Sequence, residues 1–191
     1  MQAVAALEMG PAKSLAVNSQ PAPHRERSIA MNDVGDMLHT HQYLLQEMSA
    51  GNAVLFCGAG VSYGRYPAWN QLVRELAAEA GLPARNADHL DLPQWYVEAR
   101  GRAALEQHLV RIFGAPARPT PLQRTLVRFP WDVIFTTNYD RLLERAFHEQ
   151  GREVDVVVED TQIGRVTERS RTTLVKMHGC VSRPHSLVVT R

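Results

Sequence analysis

Short apolar runs alternating with amphipathic stretches predict an α/β fold: a mainly parallel sheet with helices on both faces. Two observations carry this. The runs "NAVLFC", "WDVIFTT", "EVDVVVED" and "TTLVKMHG" are strand-length and apolar. Segments with helical spacing, such as "PAWNQLVRELAAEAGL" and "DRLLERAFHEQG", stand between them. With 191 residues the chain is long enough for one domain with a sizeable core and an appendage.

Residues 1–30 are rich in Ala, Pro, Ser and Gln and show no sustained period, which reads as a flexible tail. Met31 follows, where the domain is expected to begin, with Met1 and Met31 both open as the natural start. Val34, Met37, Leu38, Leu44, Leu45 and Met48 mark an amphipathic helix ended by Gly51. His39 and His41 are two residues apart on it, so they do not share a face and are read as solvated. Ala53 to Cys57 is a buried strand that meets Gly58 and Gly60 in a tight turn. The next helix carries Trp69, Leu72, Val73, Leu76, Ala77 and Ala80, with Gly81 in place to cap it. Residues 83–119 read as one or two helices interrupted near Gly101. "TPLQRTLVRF" is a short helix with Pro121 in its first turn. The second strand, "WDVIFTT", leads into a helix whose one face holds Leu142, Leu143, Ala146 and Phe147. Two further strands follow, and "SLVVTR" reads as a fifth, cut by the end of the chain.

Composition excludes several classes. The chain is 45% hydrophobic and 21% charged with a formal net charge of +1. It lacks the basic excess of a nucleic-acid binder. "RGR" at Arg100–Arg102 has no interleaved aromatics to track a strand of nucleic acid. No apolar run approaches the ~18 residues of a membrane span, and no secretory leader is recognisable at the N-terminus. Two cysteines, Cys57 and Cys180, rule out a disulfide scaffold and a four-cysteine zinc site, and fit a reduced, cytoplasmic protein.

Ligands of parallel sheets bind beyond the carboxyl ends of the strands. Three loops are expected to meet there: Gly58–Ser62, Thr137–Asp140 and His178–Cys180. In "GAGVS", glycines directly after a strand let the backbone approach a phosphate, and a following helix offers its amides. The dinucleotide spacing G-x-G-x-x-G is not met, because the third glycine, Gly64, comes one place late. The same turn also fits an ordinary strand-to-helix connection. Asp140 stands where an N-cap belongs. Asn138 has no evident structural duty, and its amide offers both a donor and an acceptor to a water or a ribose hydroxyl. His178 ends a strand, and histidine is the usual general base near neutral pH.

In this order, "GAGVS", "PAW", "TTNYD" and "KMHG" resemble the sirtuin superfamily, and within it the bacterial sirtuin-like domains. The protein deacetylases resemble "TQNID" at the second motif, whereas this chain has "TTNYD". The resemblance runs from about Asn52 to Arg191. It implies a Rossmann-like sheet with a helical insert at roughly 83–119. It also implies that Gly58, Ala59, Gly60, Ser62 and Thr137 bind NAD, that Asn138 and Asp140 face its nicotinamide ribose, and that Asn138 and His178 are catalytic. The four cysteines of the deacetylase zinc ribbon are missing after His178, so no zinc is expected.

The implied activity is hydrolysis of NAD to nicotinamide and ADP-ribose, in an effector of bacterial anti-phage defence. Such effectors are governed by homo-oligomerisation or by a partner sensor domain. The family's sequences continue beyond this point, so the C-terminal part of the fold is expected to be missing. Two alternatives stand beside this: an NAD-dependent protein deacylase, and a sensor module that binds NAD or ADP-ribose without turnover.

Overall fold

The computed structural model describes residues 39–83, 91–165 and 171–189. The expected tail at 1–30, the start at Met31 and the beginning of the first helix lie outside the described residues.

Among the described residues, four parallel strands form the centre: β1 (Leu55–Cys57), β2 (Val133–Thr136), β3 (Val154–Val157) and β4 (Thr172–Lys176). Their order is β1-β2-β4-β3, so β4 inserts between β2 and β3 and the edges are β1 and β3. Cys57 pairs with Thr136, and Thr136 with Lys176, so three strands finish level. The ladder runs one step past these ends: Thr137 N–H donates to Cys57 O at 3.2 Å and Met177 N–H to Thr136 O at 2.9 Å. That common finish brings the three loops to one edge.

The described residues form six α-helices: α1 (Gln42–Ala50), α2 (Trp69–Ala80), α3 (Leu92–Arg100), α4 (Arg102–Phe113), α5 (Pro121–Leu126) and α6 (Leu142–Glu149). Gly51 and Gly81 cap α1 and α2 in the left-handed region, with φ of 81° and 67°. Gly101, with φ 87°, separates α3 from α4 as the sequence suggests. Helix α5 starts with a capping box. Thr120 Oγ1 accepts from Gln123 N–H, and Gln123 Oε1 accepts from Thr120 N–H.

Among the described residues there are two large buried clusters and a small third one of Val73, Ala77 and Leu92. In one, Leu143, Ala146 and Phe147 of α6 pack on Cys57, Ile134 and Leu174 of the sheet, with Val127 and Trp131. Parallel-sheet strands buried this way read as continuous apolar runs, which is why the sequence shows them. The opposite row of the sheet is more open: Phe135 and Val175 are half-buried and Phe56 is exposed. The helical cover expected on both faces is therefore concentrated on the Ile134–Leu174 side among the described residues. The second cluster joins α2, α3 and α4 through Leu72, Leu76, Tyr96, Leu105 and Leu109. Tyr139, Val181, Leu187 and Val189 also belong to it.

Two expectations are corrected here. The "SLVV" segment is not a fifth strand: Ser186 closes a 3-10 turn and 187–189 are irregular. β4 already has a neighbour on each side, and Leu187 and Val189 bury instead into the insert cluster. Nor does a long helix follow "GAGVS" at once. Ala59–Ser62 is a single 3-10 turn, and α2 begins only at Trp69.

Candidate active site

A cavity of about 420 Å³ opens at the level strand ends. Its polar wall is built by Ser62, Thr137, Asn138, Asp140 and His178, and Ala59 joins them. The three loops thus meet as the topology requires. Gly58 and Gly60 flank the cavity rather than line it.

Ser62 is the hub of the polar wall. Its hydroxyl donates to Asp140 Oδ2 at 2.9 Å and accepts from Asn138 Nδ2 and Gln123 Nε2, both at 3.1 Å. One donor and two acceptor sites are thereby filled. Ser62, Asn138, Asp140 and Gln123 are all buried. Asn138 has a structural duty after all: its amide N–H holds Ser62, and no protein donor among the described residues takes its Oδ1. Asp140 is not the N-cap itself, since Arg141 occupies that position. The carboxylate is shared, with Oδ1 accepting from Leu142 N–H at 2.9 Å and Oδ2 from Ser62. It steadies the helix start and the hub at once.

His178 lines the same cavity, half-buried, where β4 gives way to a turn. Its carbonyl accepts from Val188 N–H at 3.0 Å. Gly179 follows with φ 82°, and an added Cβ there would collide with the backbone of Ser186. Only glycine lets the chain turn away so soon after the histidine. Gly60 is a different case. Its φ is not in the left-handed region, and nothing lies within 4 Å of an added Cβ. Among the described residues, nothing in the fold requires glycine at this position.

The other wall is apolar. Tyr66, Pro67, Trp69, Leu72, Phe113 and Val189 line it, half of them from α2 and the end of α4. Phe113 sits between Tyr66 and Tyr139, with ring centroids 5.5 Å from each. Burial pushes the Tyr139 phenol up to about 12, and its OH donates to Val188 O at 2.9 Å. Tyr66 is raised as well, first by burial and then by the nearby Asp140 charge, with Arg145 opposing. Burial likewise holds the Cys57 thiol up at about 11, so Cys57 is a protonated core residue. Cys180 is buried and free too.

Sequence reasoning missed Gln123 and the whole apolar wall as parts of the site. The signal for Gln123 was present, because T-P-L-Q at 120–123 is a capping-box pattern. Among the described residues, no group of three or more His, Cys, Asp or Glu could hold a metal ion. No helix there is long and apolar enough to cross a membrane.

Fold and site together define a parallel α/β domain with a ligand cleft at the carboxyl ends of its strands. Residues 132–191 match the SIR2-like domain family, so the chain is SIR2-like over this part. It is 31% identical over 151 residues to the NAD(+) hydrolase ThsA of Acinetobacter baumannii (strain 532279), covering 78% of this chain and 31% of that protein. It is 33% identical over 150 residues to the NAD(+) hydrolase ThsA of Enterococcus faecium, covering 76% and 31%. To defense-associated sirtuin 2 of Bacillus subtilis it is 29% identical over 135 residues, covering 68% and 13%. The chain spans less than a third of the length of each of these relatives.

Proposed function

We propose that this domain hydrolyses NAD to nicotinamide and ADP-ribose, with NAD as substrate and no metal. One observation carries the reading: Asn138, fixed by Ser62, and His178 line a single cavity, in a chain similar to proteins named NAD(+) hydrolase. Cleavage of an N-glycosidic bond passes through an oxocarbenium-like transition state, as in glycoside hydrolysis. The bond's electron pair leaves with nicotinamide, which departs neutral, so the leaving group needs little acid catalysis. Water supplies the new bond to the ribosyl carbon and gives up a proton.

In this reading Asn138 Oδ1, with no donor among the described residues, orients that water or a ribose hydroxyl, and His178 accepts the proton. The Asp140 charge favours the cationic transition state electrostatically, even though its two oxygens already accept hydrogen bonds. Ala59, Ser62, Thr137 and the flanking Gly58 and Gly60 bind the substrate's ribose and pyrophosphate. We place the activity in cytoplasmic defence against phage, governed by self-association or by a partner sensor.

The test is nicotinamide release from NAD by the purified protein. Asn138→Ala and His178→Ala should each lower it by roughly 10²-fold or more. Release that survives both substitutions removes the assignment. Calorimetric binding of NAD without any release by the parent protein favours the sensor instead.

A further inference from the structure

Lys176 ends β4 and pairs with Thr136 in the middle of the sheet, and its side chain is 1% exposed. Central parallel strands are normally apolar, and lysine is almost never buried unless paired. The partners are specific. Lys176 Nζ donates to the backbone carbonyl of Asp140 and to Glu144 Oε1, the latter at 3.2 Å. Glu144 stands in the first turn of α6, with its side chain 10% exposed.

The Asp140 carbonyl needs such a donor. Asp140 is buried and precedes α6, whose first i→i−4 bond runs from Arg145 N–H to Arg141 O, and among the described residues no backbone N–H donates to the Asp140 carbonyl. A buried carbonyl left without a partner is costly. One ammonium therefore ties the end of β4, two residues before His178, to the loop that carries Asn138 and Asp140.

We propose that Lys176 is a positioning residue. It holds the Asp140 carbonyl, and so sets the Thr137–Leu142 segment and the placement of Asn138 in the cavity it shares with His178. Glu144 balances its charge and keeps it aimed. The catalytic consequence rests on the hydrolase reading; the effect on the loop does not.

A buried ion pair that only stabilises can be replaced by apolar residues with little loss. That separates the two roles. The variant Lys176→Met/Glu144→Leu removes both charges and leaves the Asp140 carbonyl without its donor. Amide hydrogen exchange is followed in the full chain across 137–142, each protein being held at the same interval below its own Tm. The double variant should recover most of the Tm lost by Lys176→Met alone. Exchange in 137–142 should nevertheless be at least roughly tenfold faster than in the parent. Nicotinamide release should fall by at least roughly tenfold, mainly in kcat rather than KM.

Exchange within about twofold of the parent in that segment overturns the proposal, whatever the activity. Faster exchange in a variant whose parent releases no nicotinamide leaves positioning intact and removes the hydrolase reading.

Discussion

The two walls of the cavity are built on different physics. On the polar wall, Ser62, Asn138, Asp140 and Gln123 form one network in which the serine hydroxyl has no spare bonding capacity. On the apolar wall, Trp69, Leu72 and Phe113 are held by packing, with many weak contacts and no fixed partner. A network of this kind fails when one member is lost, because the others are left buried and unpaired. A packed wall gives way gradually, since hydrophobic replacements of similar volume are tolerated.

The largest difference should come from coupling within the polar wall. Ser62→Ala strands Asn138 Nδ2, Gln123 Nε2 and Asp140 Oδ2 together. We expect a stability loss of about 1–3 kcal/mol, the range for buried groups left unsatisfied. Combined with Asn138→Ala, the loss in nicotinamide release should be clearly smaller than the product of the two single losses, because residues that act as a unit are not additive. Chemical denaturation and kinetics of the two single variants and the double variant measure this. Simple multiplication of the single effects breaks the picture of a shared network.

Tyr139 tests the boundary between the walls, being a polar tip on an apolar body. Tyr139→Phe removes the bond to Val188 O and should cost about 0.5–1.5 kcal/mol. Its pH signature is distinct. Below the ordinary phenol range, near 10, folded and unfolded chains both keep the proton, so this group contributes no slope. Between about 10 and about 12 the folded chain keeps a proton that the unfolded chain has lost, so stability falls as pH rises. The Phe variant should lack that part of the decline in a Tm-versus-pH series. An identical decline in both proteins means that Tyr139 ionises freely and the apolar wall is not sealed.

The difference between the walls also explains what could be read beforehand. Strand ends were legible because "GAGVS", "TTNYD" and "KMHG" interrupt apolar runs, and the level register then places them together. The bonds between these loops were not legible: Asn138 and Ser62 are 76 residues apart, and no local spacing announces their contact. Lys176 was visible as a charge inside a strand, but its partner lies on a helix 32 residues earlier. The "SLVV" segment misled because apolar residues suited to a strand equally suit a loop buried against helices. Val188 and Val189 therefore belong to the cavity rather than to the sheet.

Gly60 gives the smallest structural effect and so the cleanest separation of ligand from fold. An alanine Cβ there meets nothing within 4 Å, and the backbone conformation is open to any residue. Gly60→Ala should therefore leave stability within about 0.5 kcal/mol of the parent, as for surface changes away from special features. If the turn admits the substrate's backbone-close approach, KM for NAD should rise while Tm stays unchanged. A lowered Tm would mean that the glycine serves the fold. Unchanged KM and Tm together would remove the 3-10 turn from the binding surface and leave the substrate to Ser62, Thr137 and the wall across from them.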